Sequence, residues 1–320
     1  MKVFIQSLTQ GYEPAIANGF EFLEKSGVIR VSDRIAIKPN LTFPSYRPGV
    51  MTSLEALKAL VRYLKNFTDR ITICESDPGG YNRFSMGEVF RNTGIAEFAK
   101  HVGVRIVNMS HTSSRSIRFR RNFRTLSVPL PTLLLNETDL FISVPVPKVH
   151  VNTTVSLGLK NQWGVIQDPG LRLKLHPYFR EVIYQVNKAL PKTVVVVDGK
   201  YGLTRSGPMS GDAVDLNWIL ISDNIYLADR IVSELMGFDY RHISYLRYAL
   251  EREGLRSLDG IQFNCDYRNF RKEKFYLARQ WTDYPGLLSF KLRTLAYLGY
   301  ESPLAKPLHW LLYRFREPFY

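Results

Sequence analysis

With 320 residues, 45% of them apolar and 22% charged, the chain has the composition of a folded globular protein with a large core, which excludes the disordered and fibrous classes. Lys and Arg number 43 against 29 Asp and Glu, and the net charge of +14 favours anionic partners. Only two cysteines, Cys74 and Cys265, are present, so this chain alone ligates no four-cysteine iron–sulfur cluster, no thiolate-rich zinc and no disulfide framework.

The opening "MKVFIQSLTQGYEP" lacks the apolar core of a secretory signal, and no stretch approaches the roughly 18 apolar residues of a membrane span. A cytoplasmic location is expected. Short β-branched runs then alternate with helical patterns: "KVFIQ" and a helix over 12–27, "RIAIKPN" and 52–67, "RITICESD" and 83–103, then "VRIVNM". Such alternation predicts the α/β class, a mostly parallel open sheet with helices on both faces. Residues 111–130 break the rhythm and read as an extended, basic antiparallel insert. The pattern resumes with "LFISVPVP", a helix over 177–190, "TVVVVDG", "WILISD" and a helix over 225–237. One α/β domain of catalytic type is expected over 1–273, followed over 274–320 by an amphipathic tail rich in aromatic and basic residues.

The chemistry of an open sheet collects where its strands stop. At the first such place Lys38 and Asn40 follow "IAI", and Thr52, with Glu55 three residues on, has the spacing of a capping box whose free N–H groups suit an anion. Thr52 serving only as a cap, with Lys38 solvated, is the plain alternative. At the second, "CESDPGG" places Glu75 and Asp77 two residues apart, a pair suited to a metal or a proton relay; ordinary turn formation explains Asp77 equally well.

The third is "VPVPKVHVNTTVSLGLKNQWGV". As a helix over 150–161 it would place His150, Thr154, Leu157 and Asn161 in one sector, although its β-branched residues and Gly158 are poor helix formers and a structured loop is the other reading. Either way Lys148, His150 and Lys160 gather after one strand. Cationic neighbours would keep His150 neutral and able to act as general base or metal ligand, against the simpler case of a histidine satisfied by a carbonyl. At the fourth, Asp198 ends the most apolar strand before a loop containing Gly207 and Gly211, through which backbone could approach a ligand; an ordinary turn reads the same way. No P-loop or G-x-G-x-x-G fingerprint occurs.

Taken together, "IKPNL" (37–41), "MTS" (51–53), "PKVHVNTTVSLGLKNQWGV" (147–165), "VVDG" (196–199) and "SGPMSG" (206–211) resemble the domain of unknown function 362 family over about residues 35–240. The resemblance implies an α/β domain and an enzyme. Some members of that family carry ferredoxin-like modules, which implies redox chemistry; with two cysteines, this chain would need a flavin, a bound metal ion or a partner for it.

The expectation is therefore an enzyme for an anionic, carboxylate- or phosphate-bearing substrate, working by acid–base or redox chemistry. His150, Lys148, Lys160, Asn161 and Asp198 are its catalytic candidates. Lys38, Asn40, Thr52, Thr154, Gly207 and Gly211 are the substrate-binding candidates, and His150, Glu75 and Asp77 the metal candidates. The rival is an anion-binding protein. "RSIRFRRNFR" interleaves five arginines with aromatic residues and could meet nucleic acid, though a solvated strand face or an anionic-substrate rim predicts the same letters more readily. The tail could lie on an acidic membrane surface, pair with a second copy or pack back on the core.

Overall fold

The computed structural model describes residues 1–24, 28–30, 33–78, 84–272, 274–300, 302–312 and 314–315. Its strands are β1 (Lys2–Ser7), β2 (Ile35–Pro39), β3 (Ile71–Glu75), β4 (Arg105–Asn108), β5 (Ser114–Arg121), β6 (Arg124–Pro131), β7 (Leu140–Val144), β8 (Lys148–His150), β9 (Thr154–Ser156), β10 (Lys192–Thr204), β11 (Asp212–Ser222) and β12 (Gln262–Phe263). Its helices are α1 (Tyr12–Glu24), α2 (Leu54–Leu64), α3 (Met86–Asn92), α4 (Ile95–Val102), α5 (Thr132–Asn136), α6 (Gly158–Asn161), α7 (Pro169–Leu175), α8 (Phe179–Ala189), α9 (Ile225–Leu235), α10 (Ser244–Arg252), α11 (Tyr284–Ser289), α12 (Arg293–Tyr300) and α13 (Ala305–Leu312).

The main sheet runs β12-β1-β11-β10-β7-β2-β3-β4. It is parallel from β10 through β7, β2 and β3 to β4, while β11 lies antiparallel between β10 and β1. The central strands are apolar on both faces because both are covered. In β10, Val194 and Val196 face one core and Val195 and Val197 the other. The first core is closed by α1 to α4; in α2, Ala56, Leu57, Leu60, Val61 and Leu64 repeat at helical spacing and are all buried. The second is closed by α8, α9 and α10. This is the α/β architecture that the alternating pattern predicts.

Several boundaries differ from expectation for local reasons. The helix expected over 83–103 is two, α3 and α4, divided at Gly94, whose φ of 75° no helix continues. The segment 150–161 is not a helix. Its β-branched residues form β8 and β9, paired as a hairpin in which His150 faces Thr154, and only Gly158–Asn161 turns helically. The strand containing Asp198 does not stop there; β10 runs on to Thr204 through an irregularity between Gly199 and Tyr201. The basic insert is the hairpin β5–β6, with Ile117 and Phe119 packed against the core and Arg118 and Arg120 exposed on the opposite face. Residues 79 and 80 of the expected Gly-rich turn lie outside the described residues.

Candidate functional site

The ends of β2, β3 and β8 meet α6 and α7 around a cavity of about 240 Å³. Lys38, Asn40, Glu75, Lys148, His150, Lys160 and Asn161 line it together, as do Trp163, Arg172 and His176. Four cations thus face one carboxylate. Asp198, Thr52, Thr154, Gly207, Gly211 and Asp77 do not line it.

Lys38 is 1% exposed, and its Nζ lies 2.6 Å from Glu75 Oε2 and 3.4 Å from Asn161 Oδ1. Asn161 in turn donates from Nδ2 to Lys38 O and Ser143 Oγ, so its amide holds the lysine in place. Gly164 borders the pair so closely that a Cβ there would lie 2.8 Å from both Glu75 Oε1 and Lys38 Nζ. Lys148 is equally buried and spends its donors on Asn40 Oδ1 (3.0 Å), Val50 O (2.8 Å) and Thr42 Oγ1 (3.5 Å). Burial, reinforced by Lys160 and Lys38, brings its pKa down to about 7. Lys38 and Lys148, expected to hold the anion, therefore set the field of the cavity with their hydrogens already committed.

The uncommitted donors lie elsewhere. Among the described residues Lys160 has no carboxylate or hydrogen-bond partner; its Nζ sits 5.6 Å from the centroid of the Phe179 ring, and burial lowers its pKa to about 8. Arg172 gives one terminal nitrogen to Asp77 O while its buried Nε has no partner, and the buried Nε1 of Trp163 has none either. Buried N–H groups without partners are rare and costly, and a ligand or water beside them is the usual reason they persist.

Two histidines complete the wall. His150 Nδ1 accepts the Asn152 N–H at 3.1 Å, so its neutral ring carries the proton on Nε2 and presents a donor. His176 Nδ1 lies 2.7 Å from Arg172 O and donates to it, so its Nε2 is left as an acceptor. Burial first, and Lys160 second, push both below the ordinary histidine range, His176 to about 3. The His176 ring is fixed by Phe290, stacked at 4.2 Å, and by the edge of Trp163 at 5.2 Å.

The remaining sequence-predicted residues have structural roles. Asp198 is corrected from catalyst to tie: Oδ1 accepts the Tyr12 hydroxyl at 2.6 Å and Oδ2 the Ser53 N–H at 2.8 Å, beneath the start of α2. Thr52 is not the cap, which falls on Ser53; Thr52 Oγ1 accepts the Asn40 N–H and donates to Val144 O, joining two strand ends. Thr154, at φ 69°, closes the β8–β9 hairpin opposite His150. Gly207 lets its loop press on β8, since a Cβ there would collide with Val149 O, and the neighbours Pro208 and Met209 reach the cavity instead. Gly211 lies in the same β10–β11 loop, away from the lining. Asp77 is turned to the Met86 N–H and Asn108 Nδ2, and among the described residues no three His, Cys, Asp or Glu side chains come together; His150, Glu75 and Asp77 are not a metal trio.

Sequence reasoning missed Arg172, His176 and Asp229. The last, 1% exposed on α9, accepts the N–H groups of Gly158 (2.7 Å) and Leu159 (2.9 Å) and so anchors the start of α6, which carries Lys160 and Asn161. An Asp inside an apolar helix face, "IYLADRIVSEL", was the signal available for it. A second, larger hollow of about 580 Å³ is lined by Arg230, Arg241 and Arg268, paired with Glu234, Asp239 and Asp266, and by Arg271, which is exposed to solvent. Among the described residues it has no buried donor without a partner. In the insert, Arg121 is likewise engaged by Glu181 and the Tyr178 ring.

A thylakoid-associated protein of Synechocystis sp. is 24% identical over 237 residues, covering 71% of this chain and 70% of its own. Two solved structures are also similar at 14% identity: the lactate racemase apoprotein from Thermoanaerobacterium thermosaccharolyticum, with a TM-score of 0.47, and a protein from Thermotoga maritima, with a TM-score of 0.41. They cover 73% and 58% of this chain, which spans only 56% and 50% of theirs. The profile of the Domain of unknown function (DUF362) matches residues 35–234, and the chain belongs to that family.

Proposed function

We propose that this chain is an enzyme that binds a small carboxylate- or phosphate-bearing substrate in the Lys160–Arg172 cavity and moves a proton on it. The observation that carries the reading is the convergence of unspent donors, Lys160 Nζ, Arg172 Nε and Trp163 Nε1, on one pocket that also holds two neutral histidines of opposite polarity. The donors take the anionic group. His176 Nε2 accepts a proton and His150 Nε2 gives one.

A base held near 3 is weak, and a bound anionic substrate strengthens it. Burial is the main cause of that depression and the Lys160 ammonium the next, so an anion laid against Lys160 cancels its repulsion and raises the basicity of His176 as it binds. The volume of about 240 Å³, under the roughly 300–1,000 Å³ of sites for drug-sized ligands, supports a small substrate over a flavin. Proton transfer is preferred over the redox chemistry of ferredoxin-bearing relatives because the histidine pair supplies it directly. A cytoplasmic location goes with this reading, and the name of the Synechocystis relative supports work near a membrane surface.

The test is a panel of small carboxylates and phosphate esters incubated in D2O, with exchange of carbon-bound hydrogen followed by NMR. Exchange in at least one compound, lost in His176→Asn and in His150→Asn while both variants keep the wild-type melting temperature, is the expected result. Binding without exchange in any compound would leave an anion-binding protein.

A further inference from the structure

Twelve of the fifteen large hydrophobic side chains exposed among the described residues fall between Tyr276 and Phe315. The tail helices have inverted polarity. Ala296, Ser302 and Ala305 are buried, while Tyr297, Leu298, Leu308, Trp310 and Leu311 stand in solvent, between 37% and 61% exposed. A helix that only packs on its own core does the opposite.

Charge identifies what covers this face. Between residues 284 and 315 the sequence has one acid, Glu301, and the cations Lys291, Lys306 and Arg314 are exposed among the apolar side chains. Arg314 lies 4.5 Å over the Trp310 ring, and Trp281 and Phe315 pair at 5.6 Å. Exposed Trp and Leu with basic residues alongside is the chemistry of a helix lying in a headgroup layer. A second copy would set like charges against each other. No helix of the described residues is long and apolar enough to cross a membrane, so the tail would lie on a bilayer and not through it.

We propose that α11 to α13 dock the chain on an anionic lipid surface, with Leu308, Trp310 and Leu311 in the acyl boundary and Lys291, Lys306 and Arg314 among the headgroups. This deepens the location reading above and is independent of the chemistry proposed for the cavity. Sedimentation of the full chain with vesicles of phosphatidylcholine containing phosphatidylglycerol, against phosphatidylcholine alone, tests it. The expected result is partitioning at least about tenfold stronger into the anionic vesicles and weakened by salt. Trp310→Ser with Leu311→Ser, and separately Lys306→Glu with Arg314→Glu, each lose about tenfold or more while sulfate binding in the cavity is unchanged. No preference for anionic vesicles overturns the proposal. So does a lipid-free dimer in sedimentation velocity that the Trp310→Ser, Leu311→Ser variant dissolves, since the face would then belong to a second copy.

Discussion

Lys38 and Glu75 are 1% and 5% exposed, and their 2.6 Å contact balances two charges removed from water. Removing one partner of such a pair is more damaging than removing both, because the survivor is left charged and buried. Glu75→Gln is expected to lower unfolding free energy by about 3 kcal/mol in urea titrations, and adding Lys38→Met should recover part of that loss. Lys160 makes a different prediction. Its folded pKa, lowered to about 8, means the ammonium proposed to grip an anion is present below that pH and lost above it. Sulfate affinity, measured calorimetrically, should fall about fivefold from pH 8 to pH 9, and Lys160→Met should be weak and flat across the same range. At this scale sequence legibility was uneven. Lys38, Lys148, His150, Lys160 and Asn161 gather because each lies at or just after a strand end, which spacing reveals. Arg172 and His176 lie on α7 and the turn after it, where "RLKLHPY" reads like any solvated helix end until folding turns it into the cavity.

The element that positions the unspent ammonium is α6, a single turn too short to hold itself by helix propensity. Asp229 supplies the missing stability by accepting its first two N–H groups from a helix 70 residues away in sequence. Burial raises that carboxyl to about 8 while the same two N–H groups pull it down. Asp229→Ala should cost about 1–3 kcal/mol in denaturant unfolding and, because α6 loosens, weaken sulfate binding more than a stability loss alone requires. Strand and helix alternation was legible throughout the sheet because its periodicities differ. The hairpin at 148–156 was not assigned in advance, since short β-branched runs satisfy both a weak helix and a strand until β8 finds β10 at Leu203. Asp198 shows the opposite limit: local letters marked a strand end, but the pairing with β11 carries the strand six residues further.

For the molecule as a whole, an anion bound to the folded state alone shifts the unfolding equilibrium by mass action. Sulfate or phosphate at about one hundred times its dissociation constant should add roughly 2.7 kcal/mol, a rise in melting temperature on the order of 5 °C for a chain of this size, and Lys160→Met with Arg172→Met should abolish the rise. The α/β class and the two covered faces followed from sequence pattern; the strand order did not. Nor did the relation between tail and cavity, because it depends on contacts between segments more than seventy residues apart. Leu277 bridges Arg205, Arg279 Nε donates to Val151 O, Phe275 is 2% exposed, and Phe290 lies flat on His176. Residues 275–290 are thus stitched into the rim they border. Amputating them would bare one face of the His176 imidazole, so a shortened chain would lose the proposed proton transfer together with the proposed adhesion, and only side-chain replacements on the outward face separate the two.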